Sequence, residues 1–374
     1  MEIELKRITP KRDGDRCYVH ARGLILPSGF GLITMQKLEL SGSDVFYGLE
    51  MMKTYDGGET YTSPIVCENL KRIYREDKTS FAMCDATPFF HKKTGKIILV
   101  GHSVCYDESN ALQAPPRPRT TCYAIYDEKK GDFTHFCELS ITGDEFFSQG
   151  AGCAQILELD SGELLIPIYY KSLEESRDPW NTSYRAAILK CDFDGSELTI
   201  KEIGSPLSVT TPRGLYEPSI IKHGERYFLS LRNDVTGFAA RSADGMSFED
   251  PVELCFDNGE PIGNYNTQQH WLKSADKLYL VYTRRAGTND HVFRHRAPLF
   301  IAEFDTEKMQ LIRSTERIAV PERGARLGNF GCQSYSDEVG YVFAAEWMQC
   351  GRLGWDVCAK HGSDNTIFIS KITY

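Results

Sequence analysis

Six times along this 374-residue chain a polar turn opens directly into a run of β-branched, leucine and aromatic residues. Pro27-Ser28-Gly29-Phe30 comes first, followed by Lys93-Thr94-Gly95-Lys96 and Asp160-Ser161-Gly162-Glu163. His223-Gly224-Glu225-Arg226, Ser274-Ala275-Asp276-Lys277 and Asp337-Glu338-Val339-Gly340 complete the set. Ile97–Val100, Leu164–Ile168, Tyr227–Leu231 and Leu278–Tyr282 are the clearest of the runs that follow. A polar turn feeding a β-rich run is the signature of a hairpin, and its recurrence at this spacing is that of a radial repeat. No long helical periodicity competes with it, and no Pro/Ser-rich linker divides the chain. The pattern therefore predicts an all-β, six-bladed β-propeller in which residues 1–374 form one domain, an architecture that carries such a length as a unit. A propeller closes best when both termini share a blade, so residues 3–8 are expected to pair with residues 366–372.

A second repeat sits on top of the first. Thr54-Tyr55-Asp56-Gly57-Gly58-Glu59-Thr60-Tyr61 is followed three residues after its aromatic by Pro64. Ser242-Ala243-Asp244-Gly245-Met246-Ser247-Phe248, one residue shorter in the turn, is followed at the same distance by Pro251. In such a turn Asp and Ser/Thr side chains bond nearby amides, Gly supplies positive φ, and the aromatic plugs the blade beneath. The element resembles the Asp-box of sialidases, S/T-x-D-x-G-x-x-aromatic; the first copy matches fully and the second is degenerate. The resemblance implies a sialidase-like (BNR-repeat) propeller, with Asp56 and Asp244 at the blade periphery in structural roles.

Composition excludes several partners. A net charge of −9 argues against a nucleic-acid surface, which needs a positive field. No apolar run approaches a membrane span. Met1–Arg7 lacks the apolar core of a signal peptide, which predicts a cytoplasmic protein. The twelve cysteines stand in apolar contexts with no CxxC pair, and are expected to be buried free thiols. Neither a metal nor a cofactor is expected, since no spacing resembles a zinc motif.

The sialidase resemblance also implies a site. That family clamps a substrate carboxylate with three arginines, a task suited to a planar, permanently charged fork. Arg22 (His20-Ala21-Arg22-Gly23), Arg232 (Leu231-Arg232-Asn233) and Arg296 (His295-Arg296-Ala297-Pro298) match those positions, with Arg294 and Arg285 competing for the third. Asp44 occupies the place of the general acid. Glu217, in Tyr216-Glu217-Pro218-Ser219, occupies that of the glutamate that serves as base for a nucleophilic tyrosine. Taken singly, each match is as readily a surface or structural residue; the five fall in the family's order on the expected blades.

The sixth blade departs from the family. In Leu327-Gly328-Asn329-Phe330-Gly331-Cys332-Gln333-Ser334-Tyr335 the register puts Asn329 where the tyrosine belongs, and Tyr335 lies too near the next turn. Asn cannot be a nucleophile. Tyr216 or Tyr265 would have to replace the tyrosine, or Glu217 or a histidine would have to activate water directly. Two polar runs, residues 264–271 with Tyr265, Gln268 and His270, and residues 289–296 with His291, His295 and Arg294, read as a binding surface on blade five. His102 ends an inner-blade strand after Ile97–Gly101, and Asp85 and Gln149 head their own blades. The leading expectation is an exo-glycosidase that removes a terminal acidic sugar, with a carbohydrate as its partner. The alternatives are a propeller-type polysaccharide lyase or a uronate- or rhamnose-specific hydrolase using His or Tyr, and a carbohydrate-binding propeller without catalysis.

Overall fold

The computed structural model describes residues 1–40, 44–178, 183–263, 267–349 and 356–374. They form six antiparallel sheets, the blades of a propeller. Blade one runs outward through Arg16–Ile25, Gly31–Glu39, Phe46–Thr54 and Ile65–Val66. Blade two is built on Ser80–His91, Lys96–Tyr106 and Thr121–Asp127, and blade three on Leu164–Lys171, Arg185–Phe193 and Leu198–Ile203 with the short inner strands Ser148–Gly150 and Leu157–Glu158. Blade four comprises Tyr216–His223, Arg226–Arg232, Phe238–Ser242 and Val252–Glu253. Blade five is founded on His270–Lys273, Leu278–Tyr282 and Leu299–Asp305, and blade six on Gly331–Ser334, Val339–Ala345 and Ile367–Thr373.

All six sequence turns fall between the first and second strands of successive blades. The ring closes as expected: Glu2–Ile8 is the outer strand of blade six, with Ile3 opposite Ile372 and Ile8 opposite Ile367. The termini thus tie the first and last segments of the chain into one sheet.

Apolar side chains fill the spaces between blades, and the two-residue period of each strand decides which space each one enters. Leu164 and Ile166 pack towards blade two with Ile98, while Leu165 packs towards blade four with Leu229. Leu278 and Leu280 join Trp271, Phe228 and Phe304, whereas Tyr279 and Val281 face Val342 and Phe368 of blade six. Each such buried side chain contributes about 1.5–3 kcal/mol, so these strands are stabilised on both faces. Most described cysteines are buried among these residues, Cys17, Cys84 and Cys191 for example, but Cys137 is exposed on an outer strand.

The two repeated turns join the third and fourth strands of blades one and four. Asp56 accepts from Thr54 Oγ1 (2.8 Å), the Thr60 amide (2.9 Å) and Thr60 Oγ1 (2.6 Å). Asp244 accepts from Ser242 Oγ (2.9 Å) and the amides of Met246 and Ser247 (both 2.8 Å). Both carboxylates bond within their own turn.

Candidate active site

The inner strands enter the propeller's centre through backbone kinks. His20, Asp85, Cys153, Glu217 and Asn329 each adopt a left-handed conformation, with φ of 59°, 53°, 59°, 47° and 64°. One comes from each of blades one, two, three, four and six. In blades one, two and four the kink coincides with a break in strand register, between Val19 and Arg22, Cys84 and Thr87, and Tyr216 and Ser219. A β-bulge re-aims one side chain, and a non-glycine residue in this region costs about 1 kcal/mol or more. Residues 264–266, leading into blade five, lie outside those described.

Four of these residues meet on the axis. Asp85 Oδ1 accepts from Cys153 Sγ (3.1 Å) and Asn329 Nδ2 (3.2 Å), and lies 3.3 Å from His20 Nδ1 and 3.5 Å from Arg22 Nη2. His102 Nε2 approaches the other oxygen at 3.6 Å. Close packing here requires glycine: a Cβ on Gly152 would sit 2.0 Å from His102 Nδ1, and one on Gly331 would sit 2.9 Å from Arg22 Cγ. Burial lowers both imidazoles, His20 to about 4 and His102 to about 3, so both are neutral at pH 7. Burial alone would raise the Asp85 carboxyl. His20, Arg22, His102 and the Cys153 thiol outweigh it and hold the group below the usual carboxylate range. With the imidazoles neutral, Arg22 is the standing positive charge beside it.

Above this floor opens a cleft of about 350 Å³, large enough for a sugar. Seven arginines line it: Arg117, Arg119, Arg213, Arg232, Arg294, Arg296 and Arg326. Asp44, Asp85 and Glu217 are its carboxylates, and Tyr169, Tyr184, Tyr216, Phe293 and Trp347 supply aromatic surface. A chain of net charge −9 has thus gathered an excess of fixed positive charge in one concavity, which concentrates anions there.

The wall of blades four to six is the most crowded. Arg232 donates from Nη1 to both oxygens of Glu217, at 2.7 and 2.6 Å, and its guanidinium lies 4.5 Å from the Tyr216 ring centroid. The Tyr216 hydroxyl donates to Asp234. Arg326 donates to the Gln349 carbonyl (2.6 Å) and lies over Trp347, 4.1 Å from its ring centroid. Arg296 is buried; burial first, then Arg232, Arg326 and Arg294, pushes it well below the ordinary arginine value. An anion among these groups would relieve that repulsion. On the opposite side, burial would raise the Tyr184 phenol, yet Arg119, Lys171 and Arg213 push it below its ordinary value.

Of the residues expected from sequence, Asp44, Asp85, Tyr216, Glu217, Arg232, Arg294, Arg296 and Asn329 all line this cleft. Asn329 stands on the axis, with its Nδ2 2.9 Å from His20 Nε2 and its Oδ1 buried without a hydrogen-bond partner. Arg22 does not reach the cleft: it is fully buried, with Nη2 donating to Cys153 Sγ (2.9 Å) and facing Asp85. Its charge serves the floor.

His270 is likewise displaced. It joins blades four, five and six, with Nδ1 2.8 Å from Ser219 Oγ and Nε2 3.0 Å from the Phe330 carbonyl. Gln268 donates to that same carbonyl and is fully buried. His291 stacks on His361 and faces Glu322 at 3.0 Å, away from the cleft. His295 and Arg285, both near Asp290, also stay outside the lining. Among the described residues, blade five contributes Phe293, Arg294 and Arg296 to the cleft. Tyr265 lies outside the described residues. Sequence reasoning missed Arg117, Arg119, Arg213, Arg326, Tyr169 and Tyr184. The Arg117-Pro118-Arg119 pair in a proline-rich stretch was the one visible signal.

No family model matches the sequence, and no curated protein matches it. Solved structures do. A protein of unknown function from Dyadobacter fermentans DSM 18053 aligns over 99% of both chains, with a TM-score of 0.67 at 13% identity. The NanB sialidase of Streptococcus pneumoniae aligns with 96% of this chain and 69% of its own, with a TM-score of 0.64 at 11% identity. Trypanosoma rangeli sialidase, solved also with a 2,3-difluoro derivative of a 2-keto-3-deoxy-nononic acid, gives 0.61 at 11% identity over 98% of this chain and 59% of its own. The fold of this chain is the six-bladed propeller of the sialidases.

Proposed function

We propose that this chain is a sialidase-like glycoside hydrolase that removes a terminal, carboxylate-bearing sugar. The observation that carries this reading is the excess of arginines over carboxylates in the axial cleft. Guanidinium forks crowded against one another are stabilised by a bound carboxylate. Arg232, Arg294 and Arg296 hold that group on the wall of blades four to six. The acidic sugar bound by the structurally similar Trypanosoma sialidase supports the assignment.

Asp44, which lines the cleft, protonates the leaving oxygen. Asn329 cannot attack the anomeric carbon, and the Tyr216 hydroxyl is engaged by Asp234. Direct attack by water is the route this reading takes. Glu217, which lines the cleft, takes its proton. Such a displacement inverts the anomeric centre.

The test is turnover of a panel of acidic glycosides, with the product's anomer read by NMR. Arg232→Ala is expected to abolish turnover while the fold persists. Full activity in Glu217→Gln, or a retained anomer, would overturn the water mechanism. A second reading is favoured by Tyr184, whose acidified phenol suits proton abstraction beside a uronate. It predicts a lyase product that absorbs in the ultraviolet, which hydrolysis does not give.

A further inference from the structure

The positive groups of the cleft fall into two sets. Arg232, Arg294, Arg296 and Arg326 belong to blades four to six and act on one another. Arg117 and Arg119 lie on the segment between Lys96–Tyr106 and Thr121–Asp127 of blade two. In a six-bladed ring blade two stands opposite blade five, so this pair faces Arg294 and Arg296 across the cleft.

The blade-two pair is built into place. Prolines at 115, 116 and 118 fix φ around it and restrict the loop. Arg117 Nε donates to the Gln113 carbonyl (2.6 Å). The Arg119 carbonyl accepts from the Gln149 amide (3.1 Å), and its guanidinium lies 5.1 Å from the Tyr169 ring centroid. Gly150 leaves a path for its stem, since a Cβ there would lie 2.9 Å from Arg119 Cδ. Among the described residues no carboxylate comes within 4.0 Å of the nitrogens of either side chain. Arg232, by contrast, already has Glu217. Rigidly held, partly buried guanidinium groups without a protein carboxylate beside them are suited to an anion from outside.

We propose that Arg117 and Arg119 form a second anion subsite, so that the substrate carries two negative groups separated across the cleft. The first is the carboxylate of the terminal sugar at the blade-five wall. The second is a carboxylate or sulfate, on the same ring or the next residue, at the blade-two wall. This inference rests on the acidic-sugar reading above and narrows it to dianionic saccharides.

Binding of paired probes to the intact chain, followed by tryptophan fluorescence, separates the two. The probes are the methyl glycoside of N-acetylneuraminic acid, its 8-O-sulfate and α2,8-linked disialic acid, with glucuronic acid and its 2-O-sulfate as a second series. The dianionic member of a series is expected to bind about tenfold or more tightly than the monoanionic one. The better of sulfate and second carboxylate identifies the group. In Arg117→Gln/Arg119→Gln, checked for folding by its melting curve, that margin should collapse to about onefold. Arg117→Gln alone should lose part of it if the double variant does not fold. Monoanions that bind with no margin would overturn the second subsite and leave the acidic-sugar reading standing, as would a margin that survives the substitutions. Failure of both series to bind would overturn both.

Discussion

Asp244 and Asp85 are the same residue type, each held below the usual carboxylate range, for opposite reasons. Asp244 lies in an outer turn, and its acidity comes first from the Ser247 amide and then from Met246 and Ser242. Its partners are all within three residues of it. Asp85 is buried on the axis, where burial opposes its charge and groups from distant parts of the chain reverse the outcome. Cys153 is 68 positions away and Asn329 is 244. One carboxylate is made by its own turn, the other by closure of the whole ring. Local chemistry thus stabilises the rim of each blade, whereas the functional floor exists only once blades one, two, three and six have met.

The largest test of that contrast is Asp85→Ala. It leaves Arg22 buried without its carboxylate and removes the common acceptor of Cys153 and Asn329. Loss of one member of a buried ion pair costs about 3–5 kcal/mol. Denaturant unfolding should show a loss of that size, and a value near that of a surface change would mean the floor is not one cooperative unit.

Acid should attack the same centre and, through His270, the junction of blades four to six beside it. Burial lowers His20 to about 4 and both His102 and His270 to about 3, against 6.5 for the free side chain. Between pH 6.5 and about 4 the unfolded chain binds these protons and the folded chain does not, so stability falls as pH drops through that window. Each imidazole should remove about 1.2 kcal/mol between pH 7 and 5.5. Unfolding curves at pH 7 and 5.5 measure it, and equal stability at the two would show that the folded ring accepts the protons.

The same contrast explains what could be read from the sequence. Turns and β-runs are local, so the six hairpins, the two Asp-bearing turns and the closing strand were legible. Arg232, Arg296, Asp44 and Glu217 were singled out by their match to the sialidase order, and all four line the cleft. The kinks were not legible. His, Asp, Cys, Glu and Asn at positive φ share no residue signature, unlike the glycines that mark outer turns. Arg22 was read as a cleft residue because sequence gives the strand but not the depth, and Asp85 meets it below the surface. The polar run ending in His270 was read as a ligand surface because polar side chains on an inner strand look unsatisfied. Their partners are the Phe330 carbonyl and the Ser219 hydroxyl of neighbouring blades, which no single strand reveals.

The smallest expected effect sharpens the contrast from the other side. Asp244→Ala removes acceptors for the Met246 and Ser247 amides, the second of them exposed to solvent that can replace it. A lost cap of this kind costs about 1 kcal/mol. Because the turn lies between the outer strands of blade four, with Leu165 and Tyr227 packed beside Gly245, the change should not reach the cleft. A melting curve should therefore shift slightly while affinity for an acidic sugar stays as it was. If affinity falls in parallel with stability, the outer turns set the geometry of the centre, and the division between a locally made rim and a globally made floor fails.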